Sequence, residues 1–380
     1  MKRVVICLLA LAMLAVPATA TAGVAVDAGS CILMEKETGR ILHAENEHEK
    51  LEPASVTKVM TILLVMEEID SGRLRYDDVV TASAHACSMG GSQIWLKENE
   101  QMSVEDMLKA VCVVSANDCS VALGEHIAGS HEAFVERMNE RAAELGMKDT
   151  HFVNCTGLPA KGHLTSAHDI ALMSRELVKH HPDIRRFTTI WMDSLRNGES
   201  ELTNTNKLIR FYEGATGLKT GSTDAALYCL SATAERNGME LIAVVMKAPT
   251  TTARFESAKA LLNYGFANYC LERVQPEQAL PPIAVTLGSR ESIQPVLGEG
   301  STLLLEKELA GKLEQELTLM TGLRAPVEKG QQVGQLRVCA EGKEIAVIPV
   351  VAGEEAQRLG YGAILVDFIR KAFLWTPFRG

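Results

Sequence analysis

The stretch Pro53-Ala54-Ser55-Val56-Thr57-Lys58, followed by the apolar run from Val59 to Met66 and then Glu67-Glu68, decides how the rest of the chain is read. Proline suits the first turn of a helix, so the pattern predicts one helix over residues 53–68 that ends near Ser71-Gly72. A spacing of three puts the Ser55 hydroxyl and the Lys58 amine on one face of that helix, within hydrogen-bond reach. A serine hydroxyl is a poor nucleophile until a neighbour takes its proton. A lysine can take it only as a neutral amine, which requires burial or a nearby positive charge. The helix start also presents free backbone N–H groups where negative charge would develop.

Two further motifs supply what this pair lacks. Ser115-Ala116-Asn117 falls on a turn between two helical patterns. Taken alone it reads as a helix N-cap; in a catalytic reading Ser115 relays a proton to a leaving amine and Asn117 hydrogen-bonds the substrate or Lys58. Lys219-Thr220-Gly221-Ser222 stands just before a β-branched and apolar strand pattern. Lys219 is the second positive charge that would depress Lys58, and with Thr220 it offers a cation and a hydroxyl to a substrate carboxylate. Gly221 permits close backbone approach, and the Ser222 N–H joins that of Ser55 as an oxyanion hole. An exposed lysine at a strand end is the plain alternative. There is no Walker A pattern, which excludes a phosphate loop. Of ten histidines, His163 and His168 come nearest to a spaced pair, and no HExxH or Cys/His grouping occurs. The histidines read as structural or surface residues, with no metal and no cofactor expected.

The N-terminus carries Lys2 and Arg3, thirteen apolar residues over 4–16, a break at Pro17 and small-residue sites at Ala18-Thr19-Ala20 and Ala20-Thr21-Ala22. This predicts an export signal over residues 1–22. Cys7 lies inside the apolar run, which argues against lipid modification. Without Lys2 and Arg3 the formal net charge moves from −10 to −12, which disfavours a nucleic-acid partner. The eight cysteines after Cys7 are irregularly spaced, without CxxC, and mostly amid apolar neighbours. They read as free thiols, and no disulfide is assigned.

Beyond the signal, strand–turn–strand over 31–45 gives way to helical patterns at 103–113, 117–128, 131–145 and 168–180. Strands then return at 226–233 and 240–246 around Asn237-Gly238, with a helix at 257–268. Strand, many helices and strands again imply a mixed α/β layered domain over residues 23–272. Pro276, Pro281 and Pro282 mark a shift to short alternating segments, including 335–340 and 344–350, which predict a small β-rich domain over 273–357. The final stretch, 358–380, differs again. From Tyr361 to Gly380, Asp367, Arg370 and Lys371 share one helical stripe, with Ile364, Leu365, Phe368, Ala372, Phe373 and Trp375 around the rest. That pattern fits a helix lying in a membrane surface.

The three motifs, in this order with 60 and then 104 residues between their first members, resemble those of the serine D-alanyl-D-alanine carboxypeptidases among the low-molecular-mass penicillin-binding proteins. The flanks resemble the family too: Gly91-Ser92, Asp118 after Asn117, the segment FVERMNERAAELGM at 134–147, His151-Phe152-Val153-Asn154 and GLKTGST at 217–223. Ala116 stands where glycine is frequent, and Cys155 where proline is frequent; neither change removes a functional group. The resemblance implies the fold shared by penicillin-binding proteins and β-lactamases. It implies that Ser55 attacks the penultimate D-alanine of a peptidoglycan stem pentapeptide with Lys58 as base. Ser115, with Lys58 and Asn117, protonates the departing D-alanine; Lys219 and Thr220, with Arg254 as a further candidate, hold the terminal carboxylate. It also implies acylation of Ser55 by β-lactams and a peripheral position on the outer face of the bacterial cytoplasmic membrane. A serine β-lactamase and a catalytically inactive cell-wall-binding protein are the alternatives. A second domain and the lack of an obvious Glu-x-x-Leu-Asn segment oppose the first; the complete set of catalytic groups opposes the second.

Overall fold

The computed structural model describes residues 24–374, so the export-signal expectation and Trp375 fall outside the described residues. The first and larger part of the chain is built on a five-stranded antiparallel sheet. Its strands are β1 (Ser30–Glu35), β2 (Ile41–Glu45), β3 (Ala215–Thr223), β4 (Leu227–Arg236) and β5 (Met239–Ala248), in the order β2-β1-β5-β4-β3. Strands β1 and β5 sit inside the sheet and are buried almost throughout. This explains why they read as continuous apolar runs, without a polar face in alternation.

Each face of the sheet buries one core. On one side Ile32, Met34, Ile242, Val244 and Met246 pack with Val59, Met60 and Leu63 of helix α1 (Lys58–Asp70). Further helices thicken this layer: α2 (Val104–Val113), α3 (Asn117–Ala128), α4 (His131–Glu144) and α5 (Ala167–His180). On the other side Leu33, Leu241, Ala243 and Val245 meet Phe255, Leu261 and Leu262 of α6 (Thr251–Asn268). Two layers of helix therefore sandwich the sheet. Helix α1 is buried nearly all round, as its largely apolar run requires, with Thr61 Oγ1 donating to the Cys155 carbonyl.

Two expectations need correction. Residues 53–68 do not form one α-helix: Ala54–Thr57 is a 3-10 turn, α1 starts at Lys58 and it runs to Asp70. The Lys219 motif lies within edge strand β3, rather than ahead of a strand. Its glycines at 217 and 221 interrupt the apolar pattern, and sheet pairing to β4 overrides that local signal. The eight cysteines from Cys31 onward are all free thiols.

After α6, the chain forms short strands around a separate core that includes Val285, Ile293, Leu336, Val338, Ile348 and Val350. The largest sheet there orders Pro295–Leu297, Lys343–Ala352, Gln332–Ala340 and Leu313–Leu319. Helix α7 (Tyr361–Leu374) follows, with Tyr361, Leu365, Val366 and Ile369 exposed. Among the described residues no helix is long and apolar enough to cross a membrane.

Candidate active site

Ser55 sits on the 3-10 turn ahead of α1, and the first residue of α1 is Lys58. Lys58 Nζ lies 3.0 Å from Ser55 Oγ and donates to the Thr156 carbonyl at 2.6 Å. An amine that spends one N–H on that carbonyl can turn its lone pair toward the serine, provided it is neutral. Lys58 is fully buried, and burial first, then the neighbouring Lys219, holds its pKa well below the usual lysine value; Cys155 and Asp118 oppose the shift. Lys219, equally buried, is brought down to about 7, chiefly by burial, with Cys112 opposing and Arg254 assisting. The Lys219 charge thus adds to the burial that disfavours an ammonium at Lys58.

Ser115 and Asn117 are not caps. The N-cap of α3 is Ala116, whose side chain makes no capping bond. Asn117 Nδ2 donates to the Gly90 carbonyl at 2.6 Å and its N–H to the Ser92 carbonyl at 2.7 Å. Among the described residues, Ser115 Oγ and Asn117 Oδ1 are buried without a hydrogen-bond partner, an arrangement that suits groups reserved for a substrate. Ser115 holds φ +67°, while Ala116 has φ −55°. Alanine is therefore tolerated at 116, and the left-handed strain sits on Ser115.

Strand β3 passes so close to the nucleophile turn that a Cβ on Gly221 would lie 2.9 Å from both Pro53 O and Ser55 N. Lys219 Nζ donates to the Thr220 carbonyl at 3.0 Å and Thr220 Oγ1 donates to Thr205 Oγ1 at 2.7 Å; Ser222 is exposed at the strand end. Arg254 reaches the same strand from α6, but is buried and donates to the Gly221 and Cys229 carbonyls at 3.2 and 3.3 Å. It braces the β3–β4 backbone. Strand β3 is therefore brought against the Ser55–Lys58 turn, with Gly221 packed on Pro53 and Ser55 and Lys219 close enough to act on Lys58, and Arg254 holds the same strand from α6.

Several supporting residues escaped the sequence reading. Asn154 Oδ1 accepts from the Thr156 and Gly157 N–H groups at 3.1 and 2.7 Å, which aims the Thr156 carbonyl at Lys58. Gly157 packs on the turn so tightly that a Cβ there would lie 1.8 Å from Ala54 O. Buried Asp118 accepts from the Ile94, Leu96 and Cys119 N–H groups and so fixes the loop that holds Asn117. His163 is structural, as read, yet it serves the site. Its Nδ1 accepts from Val153 N–H at 2.9 Å, so Nε2 carries the proton and donates to Thr57 Oγ1 at 2.8 Å; Thr57 Oγ1 donates in turn to Ala54 O at 2.9 Å. Burial brings His163 down to about 4, a neutral ring with both nitrogens occupied. The Asn-x-Asn turn at 204–206 was a readable signal for the support of β3, since Asn206 Nδ2 donates to the Gly217 carbonyl at 2.9 Å.

The family model described as D-alanyl-D-alanine carboxypeptidase matches residues 16–250, which include all of these motifs. The chain belongs to the D-alanyl-D-alanine carboxypeptidase family. A second model, the C-terminal domain of penicillin-binding protein 5, matches residues 275–358. The chain is 40% identical over 365 residues to the D-alanyl-D-alanine carboxypeptidase DacF of Bacillus subtilis, covering 94% of this chain and 92% of that one. With DacC of Escherichia coli it shares 32% over 360 residues, covering 92% and 89%. Penicillin-binding protein 5 from Haemophilus influenzae superposes with a TM-score of 0.77 at 31% identity, covering 88% of this chain and 98% of that one. The carboxypeptidase is thus a serine-type hydrolase with a mixed α/β catalytic fold and an additional β-rich domain.

Proposed function

We propose that this D-alanyl-D-alanine carboxypeptidase removes the terminal D-alanine of peptidoglycan stem pentapeptides through an acyl-enzyme on Ser55. The observation that carries the reading is the buried Lys58 amine 3.0 Å from Ser55 Oγ beside a second buried lysine. Lys58 takes the Ser55 proton as the hydroxyl oxygen attacks the carbonyl of the penultimate residue. The backbone N–H groups of Ser55 and Ser222 receive the oxyanion, a contribution of about 100- to 1,000-fold per donor. Ser115, with Lys58 and Asn117, delivers a proton to the departing amine. Lys219 and Thr220 hold the terminal carboxylate, whose charge in turn stabilises the Lys219 ammonium. Arg254 contributes by keeping the Gly221 backbone in place. Water then hydrolyses the ester, and a β-lactam acylates the same oxygen and leaves slowly.

The same reading assigns residues 1–22 to export, 23–272 to catalysis, 273–357 to the β-rich domain and 358–380 to a surface anchor. It puts the enzyme on the outer face of the cytoplasmic membrane. Exposed Leu365, Val366 and Ile369 on α7 support the anchor. The test is D-alanine release from an N-acylated peptide ending in D-Ala-D-Ala, run beside fluorescent penicillin labelling. Release and a long-lived label, both abolished in Ser55→Ala, are expected. Fast penicillin turnover would instead make the protein a β-lactamase, and neither release nor label would leave a cell-wall-binding protein.

A further inference from the structure

The hairpin at the sheet edge farthest from β3 brings together a set of side chains that the catalytic cycle does not use. Cys31 on β1 is directly opposite Glu45 on β2 in the antiparallel ladder, and His43 lies two residues before Glu45. Residues opposite each other, and residues two apart on one strand, project from the same face of a sheet. Three donors of different chemistry are thereby directed to one point: a thiol, an imidazole and a carboxylate. Their ligand atoms all lie within 4.8 Å of one another, and His43 Nε2 and Glu45 Oε1 are 3.0 Å apart. The strand pairing supplies the arrangement, which explains why the linear sequence, with twelve residues from Cys31 to His43, shows no metal spacing.

We propose that Cys31, His43 and Glu45 form a zinc-type divalent cation site on this hairpin. Tetrahedral zinc with one sulfur at ~2.3 Å and nitrogen or oxygen ligands at ~2.0–2.1 Å needs donor separations of about 3.3–3.6 Å. From separations of up to 4.8 Å the cluster reaches that geometry by a closure of about 1.2–1.5 Å at most. The donor set is the borderline S/N/O mixture that zinc prefers over calcium or magnesium, which take oxygen ligands. Burial, with the negative charge of Glu45 and Glu47, holds the Cys31 thiol up at about 12, so a cation binds there by displacing the thiol proton, and the same carboxylates attract that cation. His43 and Glu45 remain partly open to solvent, so an ion has an entry path and a water completes the fourth position. The His43 ring also stands edge-on to Tyr264 of α6 at 6.2 Å between centroids. Ligation would therefore clip the outermost strand to β1 beside the covering helix, remote from Ser55 in function.

The test uses the full chain under reducing conditions, with Zn²⁺ by calorimetry and Co²⁺ by absorption. One Zn²⁺ per chain is expected, with a thiolate-to-cobalt charge-transfer band in the near ultraviolet. Cys31→Ser should abolish the band, and His43→Ala and Glu45→Gln should each weaken Zn²⁺ binding at least tenfold. The two latter variants change partly exposed positions, so they keep the proposal testable if Cys31→Ser does not fold. Penicillin labelling of Ser55 should stay unchanged in each and reports that the fold is intact. No stoichiometric Zn²⁺ binding, or a band and affinity that persist through all three substitutions, would overturn the proposal.

Discussion

Gly157→Ala tests how closely the nucleophile turn is fixed by the loop packed on it. The added Cβ would stand 1.8 Å from Ala54 O and 2.9 Å from Ser55 N. Real Cβ contacts stay beyond 3.0 Å, so loop and turn must separate by at least 1.2 Å. Gly157 also holds φ +83°, which adds about 1–2 kcal/mol of strain for alanine. Because the obstructing atoms are backbone on both sides, no side chain can absorb the shift. Ala54 directly precedes Ser55, and the displaced loop also carries the Thr156 carbonyl that orients Lys58. A misplacement of ~1 Å at reacting groups costs about 100-fold, or ~2.7 kcal/mol of barrier. The assay is the second-order rate of Ser55 acylation by fluorescent penicillin, with near-ultraviolet circular dichroism to confirm the fold. A folded Gly157→Ala protein should acylate about 100-fold more slowly. Gly221→Ala, whose closest backbone contacts are 2.9 Å and so require a smaller separation, should lose less. A folded Gly157→Ala protein acylating within threefold of wild type would refute the reasoning.

Three further outcomes follow from the same geometry. His163 is held near 4 in the folded chain against its ordinary 6.5, so the unfolded state binds the extra proton between those values. Its contribution is full above pH ~6.5 and is lost as pH falls toward ~4, about 3 kcal/mol in all; calorimetric stability in His163→Gln should lose this part of the acid dependence. Lys219 at about 7 must be charged to hold a carboxylate, so kcat/KM for peptide substrate should fall on the alkaline side of roughly that pH. In kcat the alkaline limb should move upward, because the bound carboxylate stabilises the ammonium. Finally, the full-length mature protein should co-sediment with anionic lipid vesicles, and a chain ending at residue 360 should not; equal sedimentation of the two would remove the anchor.

What was readable in the sequence was what local pattern determines. Helices α2, α4 and α5 bury one face each and start at a serine that caps its own helix, Ser103, Ser130 or Ser166, so their limits were within a residue or so of expectation. The Asn237-Gly238 turn placed β4 and β5 in the same way. Strand β3 was missed as a strand because Gly217 and Gly221 break its pattern, although Gly221 is needed where the strand crosses the nucleophile turn. The family was legible because the types and order of the three motifs are so restrictive. Their supports were not. The Thr156 carbonyl is 98 residues from Lys58 and His163 is 106 from Thr57, and a backbone carbonyl carries no signature in the sequence at all. Arg254 illustrates the converse: its nearness to the motif was expected, but only its backbone partners show that it braces the strand.

The charge on one amine tests the account most directly. Lysines labelled at Cε with ¹³C can be followed by NMR titration, with the Lys58 resonance assigned by its loss in Lys58→Arg. The account predicts that this resonance keeps its neutral-amine position at pH ~7 and shows no transition near the ordinary lysine value of about 10.4. A Lys58 signal that titrates near that ordinary value would contradict it, because a charged amine cannot take the proton from Ser55.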